Sequence, residues 1–170
     1  IRRVEDLEVS KGILISYVHN SVAEGLGRLG VLVALETGVQ NDNIKEIGKQ
    51  IAMHIAATSP KSLNIEDLDP DVVERERQVL IDQAMASGKS KEIAEKMVKG
   101  RMHKFFQEVV LNEQISVIDG ETKIKDLIKR TSLELKTEIK IKGFKILKLG
   151  EGVEIEESDF AAEVAATAGL

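Results

Sequence analysis

The stretch "PDVVERERQVLIDQAMASGKSKEIAEKMVKGRMHKFFQEVVL", residues 70–111, constrains the fold more than any other. Val72, Val73, Val79, Leu80, Ala84 and Met85 recur at helical spacing and form one apolar stripe. Ile93, Ala94, Met97, Val98, Met102, Phe105 and Val109 form a second. Between them "ASGKS" breaks the pattern, with Gly88 suited to a left-handed helix end and Ser90 to the next helix start. Pro70, preceded by Asp69, fits a first helical turn. Two helices of about 25–33 Å follow at 1.5 Å per residue. So short a connection makes them antiparallel neighbours, over 71–87 and 91–111. Their outer faces are charged, so the hairpin is expected to project as an arm.

The flanking sequence mixes strands and helices. "GILISYVHN" (12–20) alternates as a strand, "SVAEGLGR" reads as a long glycine-bearing loop, and "LGVLVALE" (29–36) is a continuously apolar strand expected to be buried on both faces. In "DNIKEIGKQIAMHIAATSP", Ile44, Ile47, Ile51 and Ile55 mark one helix face, with a cap among Asn41, Asp42 and Asn43 and an exit at Pro60. "EQISVID" reads as a short strand and "TKIKDLIKRTSLEL" as a helix with Ile124, Leu127 and Ile128 inward. "EIKIKGFKILKLGEG" reads as a strand bent at Gly143, and "ESDFAAEVAATAGL" as a last helix capped by Ser158 or Asp159. Residues 1–10 read as the tail of a helix or an edge strand. The fold class is α+β: a small antiparallel sheet packed with helices, plus the helical hairpin.

Composition narrows the function. Hydrophobic residues are 42% and aromatic residues only 3%, so the core must be aliphatic. A net charge of −5 argues against a general electrostatic nucleic-acid binder. With no cysteine, thiol chemistry, disulfides and zinc–sulfur sites are excluded. No apolar run approaches the roughly 20 residues that span a bilayer, and no signal peptide is visible. The chain starts "IRRVEDLE", without Met and in mid-pattern, and reads as part of a longer protein.

The three histidines carry the question of chemistry. His54 in "IAMHIAATSP" lies on or beside the isoleucine stripe, and the residue four further on is Thr58. Metal ligand, base and packing residue are the choices; a metal site needs three or four ligands, so none is assigned. The expected role of His54 is structural, its ring packed and donating one hydrogen bond. His103, beside Lys104, reads as a solvated helix residue, and His19 as a strand-end residue able to touch a partner. "SGKSKE" lacks the upstream glycine of a phosphate loop. The residues by themselves favour a protein-interaction module over an enzyme, with no catalytic residues and no cofactor.

Several stretches together resemble translation elongation factor Ts: "IRRV", "IAMHIAA" followed by Pro60, "EIAEKMVKGRMHKFFQEVVLNEQ" and "GEGVEIEESDFAAEVAA", in the same order and across nearly the whole chain. The resemblance implies guanine-nucleotide exchange on elongation factor Tu, the GTPase that delivers aminoacyl-tRNA, in the cytoplasm or an organellar matrix. It implies a core subdomain in two parts, 1–69 and 113–152, that docks on the third domain of Tu. Residues 70–112 match a coiled-coil dimerisation arm, with a homodimer as its product, and 153–170 a carboxy-terminal helix that packs on the GTPase domain. Residue by residue, His19 in "SYVHN" and Val117 in "QISVID" match partner contacts, and Phe160 and Val164 in "DFAAEVAA" match the docking helix. His54 matches a helix position where packing is implied. Neither nucleic acid nor a membrane is an expected partner. The sequence departs from the family at Ser90 and Ile115, where prolines are usual. It contains no Thr-Asp-Phe-Val loop, the part used against the magnesium region of Tu, and no ubiquitin-associated-like amino-terminal module. The expected function is that of an exchange-factor fragment; a non-catalytic dimerisation module is the alternative.

Overall fold

A computed structural model describes residues 1–153 with the exception of Lys89. Within them, three strands form one antiparallel sheet: β1 (Gly12–Ala23), β2 (Leu26–Thr37) and β3 (Ile139–Lys148), in spatial order β1-β2-β3. Helices α1 (Asp42–Thr58) and α4 (Ile124–Glu134) cover one face of it. Helices α2 (Pro70–Ala86) and α3 (Lys91–Val109) pack on each other. The architecture is α+β. No described helix is long and apolar enough to cross a membrane.

β2 is central, which explains its unbroken apolar run. Val31, Val33 and Leu35 are buried in one cluster with Ile44, Ile51 and Ile55 of α1 and with Ile124, Leu127 and Ile128 of α4. Ala34, which points to the opposite face, is also fully buried. That face is covered by the amino-terminal segment. Leu7 lies over Gly143, the partner of Ala34 in β3. Glu5 pairs with Lys145 at 2.9 Å, and Arg3 with Glu151 at 2.7 Å. Residues 1–9 thus form neither helix nor strand, contrary to expectation; side-chain contacts across β3 hold them instead of backbone pairing.

One glycine sets a close approach and another a turn. A Cβ at Gly48 would lie 2.6 Å from Cγ1 of Ile15 and 3.1 Å from Cδ1 of Leu35, so its absence lets α1 sit down on β1 and β2. Gly25, at φ 70°, forms the hairpin turn with Glu24. The expected long loop after His19 is therefore a correction: β1 runs on to Ala23 and β2 starts at Leu26. A register shift between Ser21 and Ala23 absorbs the irregularity, and cross-strand pairing overrides the turn character of "SVAEGLGR". The bend expected at Gly143 is a bulge that leaves Lys142 unpaired between Gly143 and Ile141.

Helix ends follow local chemistry. The Asn41 side chain accepts from the Ile44 N–H at 3.0 Å, and Asp69 accepts from the Asp71 N–H at 2.9 Å. Gly88 ends the α2 region at φ 72°. Ser90 stands at the start of α3 but its side chain makes no capping bond there. Leu80, Val98 and Met102 form a second small core between α2 and α3, joined by Val73, Ile81, Phe105 and Phe106. The Arg101 guanidinium donates to Gln83 at 3.0 Å across the pair. Helix α3 stops at Val109 rather than at 111, because Val110 enters a parallel bridge with Ser62. Around that bridge Lys61 N–H donates to the Val109 carbonyl at 2.8 Å and Leu111 N–H to the Ser62 carbonyl at 2.9 Å. The chain's way into the α2–α3 pair is fastened to its way out.

Candidate functional site

"EQISVID" is a folded loop, not the expected short strand. Leu111–Glu113 is a single 3-10 turn, Ile115 makes one isolated bridge to Lys123, and Val117, Ile118 and Asp119 form a turn. Several of the loop's hydrogen bonds close within it, and the Val117 N–H reaches out of it to His54. Ser116 N–H donates to the Thr122 carbonyl and Gly120 N–H to the Ser116 carbonyl, both at 2.8 Å. The Asp119 carboxylate accepts from the N–H groups of Glu121 and Thr122 at 3.1 and 3.0 Å. The Thr122 hydroxyl, with those two backbone donors, holds the Asp119 carboxyl down to about 2. At the base, Glu113 receives Lys123 at 2.7 Å and Lys125 at 2.6 Å. Those two bonds, Lys123 first, keep the Glu113 carboxyl below the usual carboxylate range.

Beside the exposed Asp119 and Glu121, this loop displays apolar side chains. The side chains of Val117 and Ile118 are about half exposed, at 52% and 50%, beside a buried Ser116. Ile115 of the same loop is also exposed. Alternation along a rigid turn puts one small polar side chain inward and its β-branched neighbours outward.

The loop is tied to α1 by His54. The imidazole is fully buried, its Nε2 is 2.9 Å from Oε1 of Gln114, and its Nδ1 accepts the Val117 N–H at 3.2 Å. Since a backbone N–H can only donate, Nδ1 is unprotonated and Nε2 carries the proton, which it donates to Gln114. Oε1 of Gln114 also accepts from the Thr58 hydroxyl at 3.0 Å, and its Nε2 donates to the Glu108 carbonyl at 2.7 Å. Burial pushes the His54 pKa below its ordinary value, opposed by the bond to Gln114. Among the described residues no three His, Cys, Asp or Glu side chains group as a metal site would require.

His19 sits apart from this network. It is exposed near the far end of β1, opposite Leu29 of β2. Tyr17 and His19 share a face two residues apart, and the Tyr17 hydroxyl lies 3.0 Å from Nδ1 of His19, which fixes the ring's orientation. No hydrogen bond links His19 to His54 or Val117 among the described residues. His103 is exposed on α3. Phe160 and Val164, and the last helix expected to carry them, lie outside the described residues.

The family profile described as Elongation factor TS matches residues 1–151. The chain belongs to the elongation factor Ts family. It is 52% identical over 169 residues to Elongation factor Ts of Rhodospirillum centenum, covering 99% of this chain and 55% of that one. Similarity to Elongation factor Ts of Rhodospirillum rubrum is 52% over 166 residues, covering 98% and 54%. Elongation factor Ts of Rhizobium meliloti is 49% identical over 168 residues, covering 99% and 55%. The chain thus spans about half the length of the elongation factor Ts relatives it matches.

Reading the sequence missed Gln114 and Thr58 as members of the site. Gln114 meets His54 across sixty residues of chain, and no spacing rule connects them. Thr58, dismissed as a metal partner for want of ligand chemistry, has one hydroxyl proton placed between Oε1 of Gln114 at 3.0 Å and the His54 carbonyl at 2.9 Å.

Proposed function

We propose that this chain binds elongation factor Tu as part of a guanine-nucleotide exchange factor in translation elongation, acting in the cytoplasm without covalent chemistry. The observation that carries the reading is the family match over residues 1–151. The apolar Val117–Ile118 turn, braced by hydrogen bonds within the loop and by His54, supports it, because partner surfaces use such rigid apolar contacts. In this reading His19 and Val117 touch Tu from the core subdomain (1–69 and 113–152). Phe160 and Val164 supply a further docking surface from 153–170.

Exchange requires that the factor prefer empty Tu to GDP-bound Tu; equal affinity for both shifts nothing. The Thr-Asp-Phe-Val sequence directed at the magnesium region does not occur in these 170 residues. Tested as it stands, the chain is therefore expected to bind nucleotide-free Tu and to exchange poorly. A loss of about 4 kcal/mol of differential affinity lowers the acceleration roughly a thousandfold. The measurement is release of a fluorescent GDP from Tu, beside the Rhodospirillum centenum relative at equal concentration, with calorimetry on empty Tu. Release as fast as with the longer relative refutes the weak-exchange half. Absence of binding refutes the docking half.

The second reading is a dimerisation module built on residues 70–112. It rests on an apolar groove of about 530 Å³ along α2 and α3, lined by Val73, Ile81, Val98, Met102 and Phe106. Sedimentation that shows a homodimer, lost on Phe106→Glu, together with no affinity for Tu, would select it.

A further inference from the structure

We infer that His54 is a positioning residue, which sets the presentation of Val117 and Ile118 through the Val117 backbone. The inference rests on the reading that this turn faces a protein partner.

The Val117 N–H has one acceptor in the described structure, Nδ1 of His54. Its neighbours in the turn use acceptors inside the loop: Ser116 N–H uses the Thr122 carbonyl and Ile118 N–H the Ser116 hydroxyl. Val117 alone looks into the protein for its partner. That partner is directional because each proton behind it is assigned. The Glu108 carbonyl takes a proton from the Gln114 amide, which turns Oε1 of Gln114 toward His54 and Thr58. Oε1 takes the Nε2 proton of His54, and this leaves the Nδ1 lone pair for Val117. The last turn of α3, the exit from the 3-10 turn, α1 and the partner-facing loop are joined in one line.

Packing alone does not call for an imidazole here. An aliphatic side chain would fill the same volume beside Ile51 and Ile55 without desolvating a polar ring. It would also leave the Val117 N–H and the Gln114 carboxamide oxygen without their present partners.

Two substitutions separate positioning from general stability. In His54→Asn the side-chain oxygen falls near the present Nδ1 and still accepts from Val117, while the bond to Gln114 is lost. In His54→Gln the terminal amide falls near the present Nε2 and still donates to Gln114, while the acceptor for Val117 is lost. Both lose one buried hydrogen bond, so both are expected to lower the urea midpoint by similar amounts. Only His54→Gln is expected to weaken binding to nucleotide-free Tu, by about tenfold, or about 1.4 kcal/mol. His54→Asn should stay within about threefold, and amide exchange at Val117 should quicken only in His54→Gln. Equal losses of affinity in the two variants, or losses that follow the urea midpoint, overturn the inference. Should both variants fail to fold, nitrogen chemical shifts of the unaltered chain decide: a proton on Nδ1 of His54 overturns it, and a proton on Nε2 with a protected Val117 amide supports it. If the unaltered chain does not bind Tu while Val117 exchange still separates the variants, the functional reading falls and the positioning of the loop stands.

Discussion

At His54 the neutral imidazole is the form that fits, since Nδ1 must accept from Val117 and burial opposes a charge. Its folded pKa lies below the ordinary value, while the unfolded chain takes up a proton near pH of about 6.5. Below that pH the unfolded state binds more protons than the folded one, so stability falls as pH is lowered. The stabilisation is fully present above about pH 6.5 and is lost as pH drops toward the folded pKa. The urea midpoint should therefore decline from about pH 7.5 to 5.5 by more in the unaltered chain than in His54→Gln, which has no titrating ring. Equal declines would remove His54 as the source. The stripe of Ile47, Ile51 and Ile55 made the position of His54 on the inner face of α1 readable from spacing. Its two partners were not readable, because Gln114 and Val117 reach it only after the chain has returned from α3.

At the scale of elements, long periodic segments announced themselves and short ones did not. The helices α1, α2 and α3 carry stripes of several turns, and each lies within a few residues of where its stripe runs. In "EQISVID" only Ile115, Ser116 and Val117 alternate, too few residues to separate a strand from a turn that shows alternate residues to solvent. The loop of the β1–β2 hairpin failed in the opposite sense: glycines and a serine suggested a long connection, but cross-strand partners carried the pairing to Ala23 and Leu26. Gly48 shows how one residue joins two elements. Gly48→Val would drive its branch into Ile15 and Leu35, and the overpacking is expected to cost about 2 kcal/mol or more, beyond any gain in helix propensity. Urea unfolding checks it, and an unchanged midpoint would show that α1 does not rest on β1 through this position.

In the whole molecule, the α2–α3 pair is an excursion whose two ends are pinned by the Ser62–Val110 bridge and the bonds beside it. Its small core of Leu80, Val98 and Met102 is separate from the large one beneath the sheet. Replacing residues 66–107 by a short flexible linker should therefore leave a protein that still unfolds cooperatively and keeps its strands by circular dichroism. Loss of the cooperative transition would show that the sheet depends on the arm. The same pinning bears on how the chain finds its shape. Helices α2 and α3 meet across a turn, whereas Thr37 of β2 must find Ile139 of β3. Local closures cost less chain entropy and come sooner than distant ones. An arm that pairs early draws Ser62 and Val110 together and shortens the effective loop over which β3 must search. In pulse-labelled refolding, amides of α2 and α3 should gain protection before those of β3. Slowing of β3 closure in the arm-deleted chain would then mean that the linker fails to draw Ser62 to Val110, and equal rates that any short tether serves as well as two helices.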